Sequence, residues 1–226
     1  MDIDKLQKKA AYGFGKAANI VGFSVIQMRP QNSSMPLSTD KIATLRCLVD
    51  PSASFTGISP LLWGHKFLFA AINTTNIQVG DYLETQTDSN IENLQADIYF
   101  VSRFEPWKPL LIVQTNKSIS FYESDISSDN NTIGLRSPSG PVWKNDIELA
   151  SDYRVSMLEM SASGRSPTGL GTDLPLGIWE IFMPKIPTIT LYQGLRIKDT
   201  NQNCYHILTV EETDFGLRLI AKVDQA

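Results

Sequence analysis

The sequence predicts a mainly β protein: two small β-barrel or meander-like units, with an N-terminal helical arm and long loops. Three observations carry this. One pattern occurs twice: Gly80-Asp81-Tyr82-Leu83, Tyr99-Phe100-Val101 and Pro109–Val113, then Gly194-Leu195-Arg196-Ile197, Tyr205-His206-Ile207-Leu208 and Gly216–Ala221. Each copy reads as a turn glycine, a short strand, a polar turn, an aromatic-led strand, a second turn and a closing strand. Only the N-terminus carries an extended helical stripe. Short β-rich runs broken by turn residues fill most of the remainder, which suits barrels or a sandwich rather than a doubly wound fold.

Residues 2–21 form the arm. Ile3, Leu6, Ala10, Phe14, Ala17 and Val21 recur at spacings of three and four, so they share one helix face. Asp2 or Asp4 can cap its start and Gly22 can end it. Gly13 and Gly15 each cost about 1 kcal/mol against alanine in an exposed helix. They imply close approach of another backbone, or a break near Tyr12. The arm is expected to pack on the body or to reach a neighbouring subunit, with Ile3, Leu6, Phe14 and Val21 as the candidate interface.

Arg29-Pro30, Met35-Pro36, Asp50-Pro51 and Ser59-Pro60 break any long element between 29 and 60, leaving Lys41–Val49 as a candidate strand. Leu61–Ile72 is a short helix or a buried strand. Ile77–Val79, Tyr82-Leu83, Ile98–Arg103, Leu110–Thr115 and Ile119–Tyr122 read as strands. Two loops follow, Ser124–Pro141 and Ser161–Pro175, with patterned sequence at Val142–Met160 between them. Trp179–Met183 and Ile189–Leu191 are strands leading into the second meander. The expected organisation is an arm over 1–28, a first β-rich unit over 29–123, a loop-rich connecting region over 124–188 and a second β-meander over 189–226.

Composition narrows the function. In 226 residues, 42% hydrophobic content is enough for a buried core, and no apolar run approaches the roughly 18 residues that span a membrane. The start, Met1-Asp2-Ile3-Asp4-Lys5, lacks the basic and apolar regions of a secretory leader, so folding in a cytoplasm is expected. Net charge is −4 and uneven. Five bases (Lys5, Lys8, Lys9, Lys16, Arg29) face two acids in residues 1–30, whereas nine acids face three bases in residues 80–130. This argues against a general nucleic-acid binder and leaves an arm suited to an acidic partner.

No reactive constellation emerges, so no catalytic, cofactor-binding or metal residue is assigned. Cys47 and Cys204 stand in unrelated contexts and read as buried free thiols. Gly13-x-Gly15-Lys16 lacks the first glycine and the Ser/Thr of a phosphate loop: Ala10 and Ala17 stand there. His65 and His206 lie among apolar neighbours without organised partners. Glu105, Glu159, Glu180, Glu211 and Glu212 are candidate carboxylates for glycoside chemistry, and nothing pairs them across a cleft. Trp107, Trp143 and Trp179 could line a sugar groove; core or interface positions suit them better.

The order of the motifs resembles virion-associated proteins of tailed bacteriophages. The residues that carry this are Gly13-Phe14-Gly15-Lys16-Ala17-Ala18, Gly22, Arg29-Pro30, Gly80–Leu83, Tyr99–Val101, Pro109–Asn116, Leu174-Pro175 before Trp179, and Asp214–Leu219. The resemblance implies a non-enzymatic structural protein of the neck, the head–tail joint or the tail. Such proteins are small β-barrels with extended arms, assembled in the host cytoplasm and resident in the virion. They form six- or twelve-fold rings of their own copies around the DNA channel, beside portal, neck or tail proteins. DNA then passes without sequence-specific binding, and no membrane or cofactor is involved. One departure is that head-closure proteins are usually shorter, and this chain carries two meanders. That suits a tail ring or a baseplate component as well. The alternatives are a baseplate or host-surface glycan-binding module and, further off, a cell-wall hydrolase.

Overall fold

The structure, a computed structural model, describes residues 3–34, 41–50, 66–86, 96–105, 108–123, 146–160 and 177–224. Among the described residues, one helix, α1 (Ile3–Val21), leads into twelve strands. The first six are β1 (Phe23–Met28), β2 (Lys41–Asp50), β3 (Phe67–Ile72), β4 (Tyr82–Thr85), β5 (Ile98–Arg103) and β6 (Leu110–Gln114). The rest are β7 (Lys117–Glu123), β8 (Ile147–Glu159), β9 (Ile178–Met183), β10 (Arg196–Asp199), β11 (Cys204–Thr213) and β12 (Gly216–Val223).

These strands close into two barrels, β1-β2-β3-β6-β5-β4 and β10-β11-β12-β9-β8-β7, with antiparallel neighbours throughout. The connectivity is the same in both. The first strand of each set pairs with the second and the fourth, and the third pairs with the sixth. The registers also superimpose, so that Val25 corresponds to Ile119, Cys47 to Val155, Leu83 to Ile197, Tyr99 to Tyr205 and Ile112 to Ala221.

The repeated motif of the sequence is the fourth, fifth and sixth strand of each barrel. Gly80 and Gly194 both sit at φ +93°, a conformation that favours glycine. Gly80 N–H donates to Val101 O (2.9 Å) and Val101 N–H to Asp81 O (2.8 Å). Gly194 and Ile207 repeat the exchange, at 2.9 and 2.8 Å, with Leu195 in place of Asp81. Both fifth strands then shift register directly afterwards, after Val101 and after Ile207.

Several sequence expectations need correction. Residues 23–28 belong to no arm: β1 is a stave of the first barrel. The barrels divide at residues 115–116, so β7 leaves the unit drawn over 29–123. β8 and β9, drawn inside a connecting region, are staves of the second barrel. Six staves are needed to close it, and the meander over 189–226 contains three. Phe67–Ile72 is a strand, whereas Ile77–Val79 and Ile189–Leu191 are not. No break occurs near Tyr12, since α1 runs unbroken to Val21. The two predicted loops, 124–141 and 161–175, lie outside the described residues, as do residues 142–145 of the patterned stretch.

The barrels pack side by side. Strand β5 is buried on both faces: Tyr99 and Val101 point into the first barrel, while Ile98 and Phe100 join the core of the second. Met28, Tyr82 and Val113 join it too. Each such side chain withdrawn from water contributes about 1.5–3 kcal/mol. Tyr82 OH donates to Arg154 O across the joint (2.7 Å), and Ser102 Oγ to Phe215 O (2.8 Å). At the tip of the β11–β12 hairpin, the Arg103 guanidinium stacks over Phe215 at 5.2 Å.

α1 lies on β2 and β3 through small residues: Ala11, Gly15 and Ala18 are buried. Gly22 ends the helix, its N–H donating to Ala18 O (2.8 Å), and β1 starts one residue later. A Cβ on Gly22 would lie 2.5 Å from both Ala18 O and Cys47 O, backbone atoms with no room to retreat. One on Gly13 would meet nothing within 4 Å. Gly22→Ala is therefore expected to destabilise the protein by about 1–3 kcal/mol. Gly13→Ala should stabilise it by about 0.5–1 kcal/mol. Urea denaturation of the two variants checks the opposite signs.

Candidate interaction surface

The helix packs on a different face from the one its apolar stripe marks. Ala11, Gly15, Ala18 and Gly22 follow at spacings of four, three and four and meet the barrel. Gly15 permits close approach within the helix, with Asn73 Cβ 3.1 Å from where its own Cβ would be. Of the residues expected to form an interface, Leu6 and Phe14 are half-buried along the flank and Val21 is 65% exposed. The side chain of Ile3 lies outside the described residues. Tyr12 and Ile20, absent from the predicted interface, are 73% and 72% exposed. Lys8, Lys9 and Lys16 share this outward side. The outer surface of α1 thus joins large apolar side chains to ammonium groups. The small-residue stripe was the signal that would have located the inner face.

The same strand positions carry different chemistry in the two barrels. Tyr82, Phe100 and Val113 bind the first barrel to the second, and register places Arg196, His206 and Lys222 at the corresponding positions. These are half-buried. Arg196 Nη1 donates to both oxygens of Asp146 (3.0 and 2.8 Å), and His206 Nδ1 lies 2.5 Å from an Asp224 oxygen. On the other flank, β8 and β9 receive the first barrel, with Phe182 edge-on to Phe67 at 5.8 Å. The corresponding strands β2 and β3 receive α1.

Buried carboxylates tie the barrel ends. Asp81 accepts from Arg29 Nε (2.6 Å), Arg29 Nη2 (2.9 Å), Gln27 Nε2 (2.7 Å) and Gln78 N–H (2.9 Å). Asp199 accepts from Lys117 Nζ (2.9 Å), the N–H groups of Asn201 and Asn203 (2.9 Å each), Asn203 Nδ2 (3.0 Å) and Tyr205 OH (3.1 Å). Burial alone would raise the Asp199 pKa. The hydrogen bonds from Asn203 and Lys117 outweigh it and bring the group down to about 2. Lys117 also sits 4.8 Å from the Trp179 ring centroid.

The remaining sequence candidates do not converge. Glu180 and Glu211 share Arg218, at 2.6 and 3.0 Å, as an ion triad on the barrel wall. Glu105 pairs with Arg103 and Lys108, and Glu212 with Lys185. Trp179 is packed against Tyr205, ring centroids 5.8 Å apart. His65, Trp107 and Trp143 lie outside the described residues. Gly13, Gly15 and Lys16 are inside α1. Among the described residues, no three His, Cys, Asp or Glu side chains group around a possible metal position, and no helix is long and apolar enough to cross a membrane. No family model, curated protein or solved structure matches the chain.

Two outcomes follow from the buried groups. A carboxylate with a depressed native pKa contributes stability above its ordinary value of 3.8, and that contribution disappears as pH falls through about 2. Asp199→Asn should therefore be less stable than the parent at pH 7, with the gap closing between pH 4 and 2 in thermal melts. Burial pushes the Cys47 thiol up to about 12 and Cys204 above its ordinary value. A thiol reagent at pH 8 should label Cys204 slowly and Cys47 only after unfolding, as peptide mapping would show.

Proposed function

We propose that this chain is a non-enzymatic structural subunit of a tailed-phage particle. It would form a ring at the head–tail joint or in the tail, six- or twelve-fold, around the DNA channel. The observation that carries this reading is the twin-barrel body with a helix that leaves the large apolar side chains Tyr12, Ile20 and Val21 exposed. Rigid barrels keep their shape under load, and exposed apolar side chains beside lysines suit a neighbouring subunit with an acidic patch. A ring needs heterologous contacts that close by rotation. Within the chain the two barrels already meet heterologously: the first uses Tyr82 and Phe100, the second Phe182 and the backbone of Arg154. An excess of acids toward the channel would let DNA slide, since phosphates find no counter-charge there. Portal, neck or tail proteins would be the other neighbours, in the virion and not at a membrane.

Light scattering and negative-stain imaging of the protein, alone and with virion extract, test this. Rings, or incorporation at the neck or tail, are the expected result. A monomer that never joins a particle would overturn it. The double variant Tyr12→Glu/Ile20→Glu should melt within a few degrees of the parent, as exposed substitutions do, and fail to assemble.

A further inference from the structure

Closing a barrel leaves no free edge, yet β11 outruns its closure. Its pairing with β10 ends at Arg196 opposite His206, followed by the Gly194–Ile207 bond. The strand then continues to Thr213, paired only with β12. Thr213 closes the tight turn at Asp214-Phe215 onto Gly216, so Thr213, Glu211 and Thr209 direct their backbone groups toward β12. Val210 and Glu212 direct theirs the other way. Among the described residues, no backbone group pairs with that outer side of Val210 or Glu212.

Across from this edge runs the segment 185–193, and a cleft of about 700 Å³ lies between them, lined by Ile189, Leu191, Leu208 and Val210 among others. The segment reads as a strand in the sequence, Ile189-Thr190-Leu191, and extends β10 toward the register of Val210. In the structure it is not a strand. Among the described residues, a β-forming segment and an unpaired β-edge thus face each other across one cleft with no strand between them.

We propose that the edge of β11 at Val210–Glu212 is an acceptor for an extended peptide segment of another protein molecule. The segment adds as a strand to β11 and places alternate apolar side chains against Leu191, Leu208 and Val210. The chemistry commits to a polypeptide in β conformation: a row of outward N–H and C=O groups is matched along its length only by another main chain. The cleft is lined by the apolar side chains of Ile189, Leu191, Leu208 and Val210 together with polar groups, and the Lys185–Glu212 pair stands in the same lining. This inference goes beyond the ring reading and does not require it.

The probe is the acetylated, amidated hexapeptide Thr-Ile-Thr-Leu-Tyr-Gln, the sequence of residues 188–193, titrated into the ¹⁵N-labelled full chain. Peptide-dependent shifts centred on Val210 and Glu212 are expected. Val210→Pro removes an N–H that the β11–β12 ladder does not use and replaces a side chain packed at the edge of the second core, so the fold should survive at somewhat lower stability, as for proline at a strand edge. It should weaken the peptide at least about tenfold, one backbone hydrogen bond being lost and the approach blocked. Tyr12→Glu, on the opposite element, should leave affinity unchanged. Hydrogen exchange of the free protein gives a second readout that needs no variant: the Val210 and Glu212 amides should exchange faster than those of Thr209 and Glu211. Equal protection of all four amides, no shifts at millimolar peptide, or binding that persists in Val210→Pro would each overturn the proposal.

Discussion

Closure of the hydrogen-bond ladder is the constraint on which the rest of this structure depends. When β1 meets β4, and β7 meets β10, every stave gains a neighbour on both sides and a common interior. Closure needs six strands of matched register in each barrel. The connections therefore carry their turns at fixed places, with Gly80 and Gly194 at φ +93° before the fourth strand of each. The buried carboxylates follow from the same demand. Asp81 and Asp199 sit where a barrel end would otherwise leave backbone N–H groups without partners, and each takes a cation as well.

Two barrels of one design serve different ends because their outer walls differ. Where the first presents Tyr82 and Phe100, the second presents Arg196 and His206, each tied to an aspartate. Apolar side chains at these positions bind the barrels together. In the second barrel the same positions are taken up by polar pairs within its own chain segment, Arg196 with Asp146 and His206 with Asp224. On the opposite flank, β2 and β3 hold α1 through glycine and alanine, whereas β8 and β9 hold the other barrel through Phe182. The helix occupies on the first barrel the kind of seat that the first barrel occupies on the second. Among the described residues, the helix packs on the first barrel and the first barrel on the second.

Local residue types made the meanders visible. The turn glycines, the aromatic lead of β5 and β11, and the apolar runs of β6 and β12 all follow from strand and turn chemistry that acts over a few residues. The arm was visible by its period, but its orientation was not. The larger side chains Ile3, Leu6, Phe14 and Val21 marked a candidate interface, with the body or with a neighbouring subunit. Against the body the helix sits on Ala11, Gly15 and Ala18, because close approach to β2 and β3 leaves no room for anything larger. Hydrophobic size marks what would gain from burial, and steric fit decides what is buried.

The sequence by itself determined the β class, the two meanders, the one helix and the position of its end at Gly22, since each rests on short-range sterics and hydrophobic period. Only the tertiary structure decided that β1 belongs to a barrel, that β7, β8 and β9 complete the second one, and that Ile189–Leu191 is not a strand. Those outcomes depend on which strands are adjacent in space. β7 and β10 meet over more than seventy residues of intervening chain, and no local propensity encodes such a pairing.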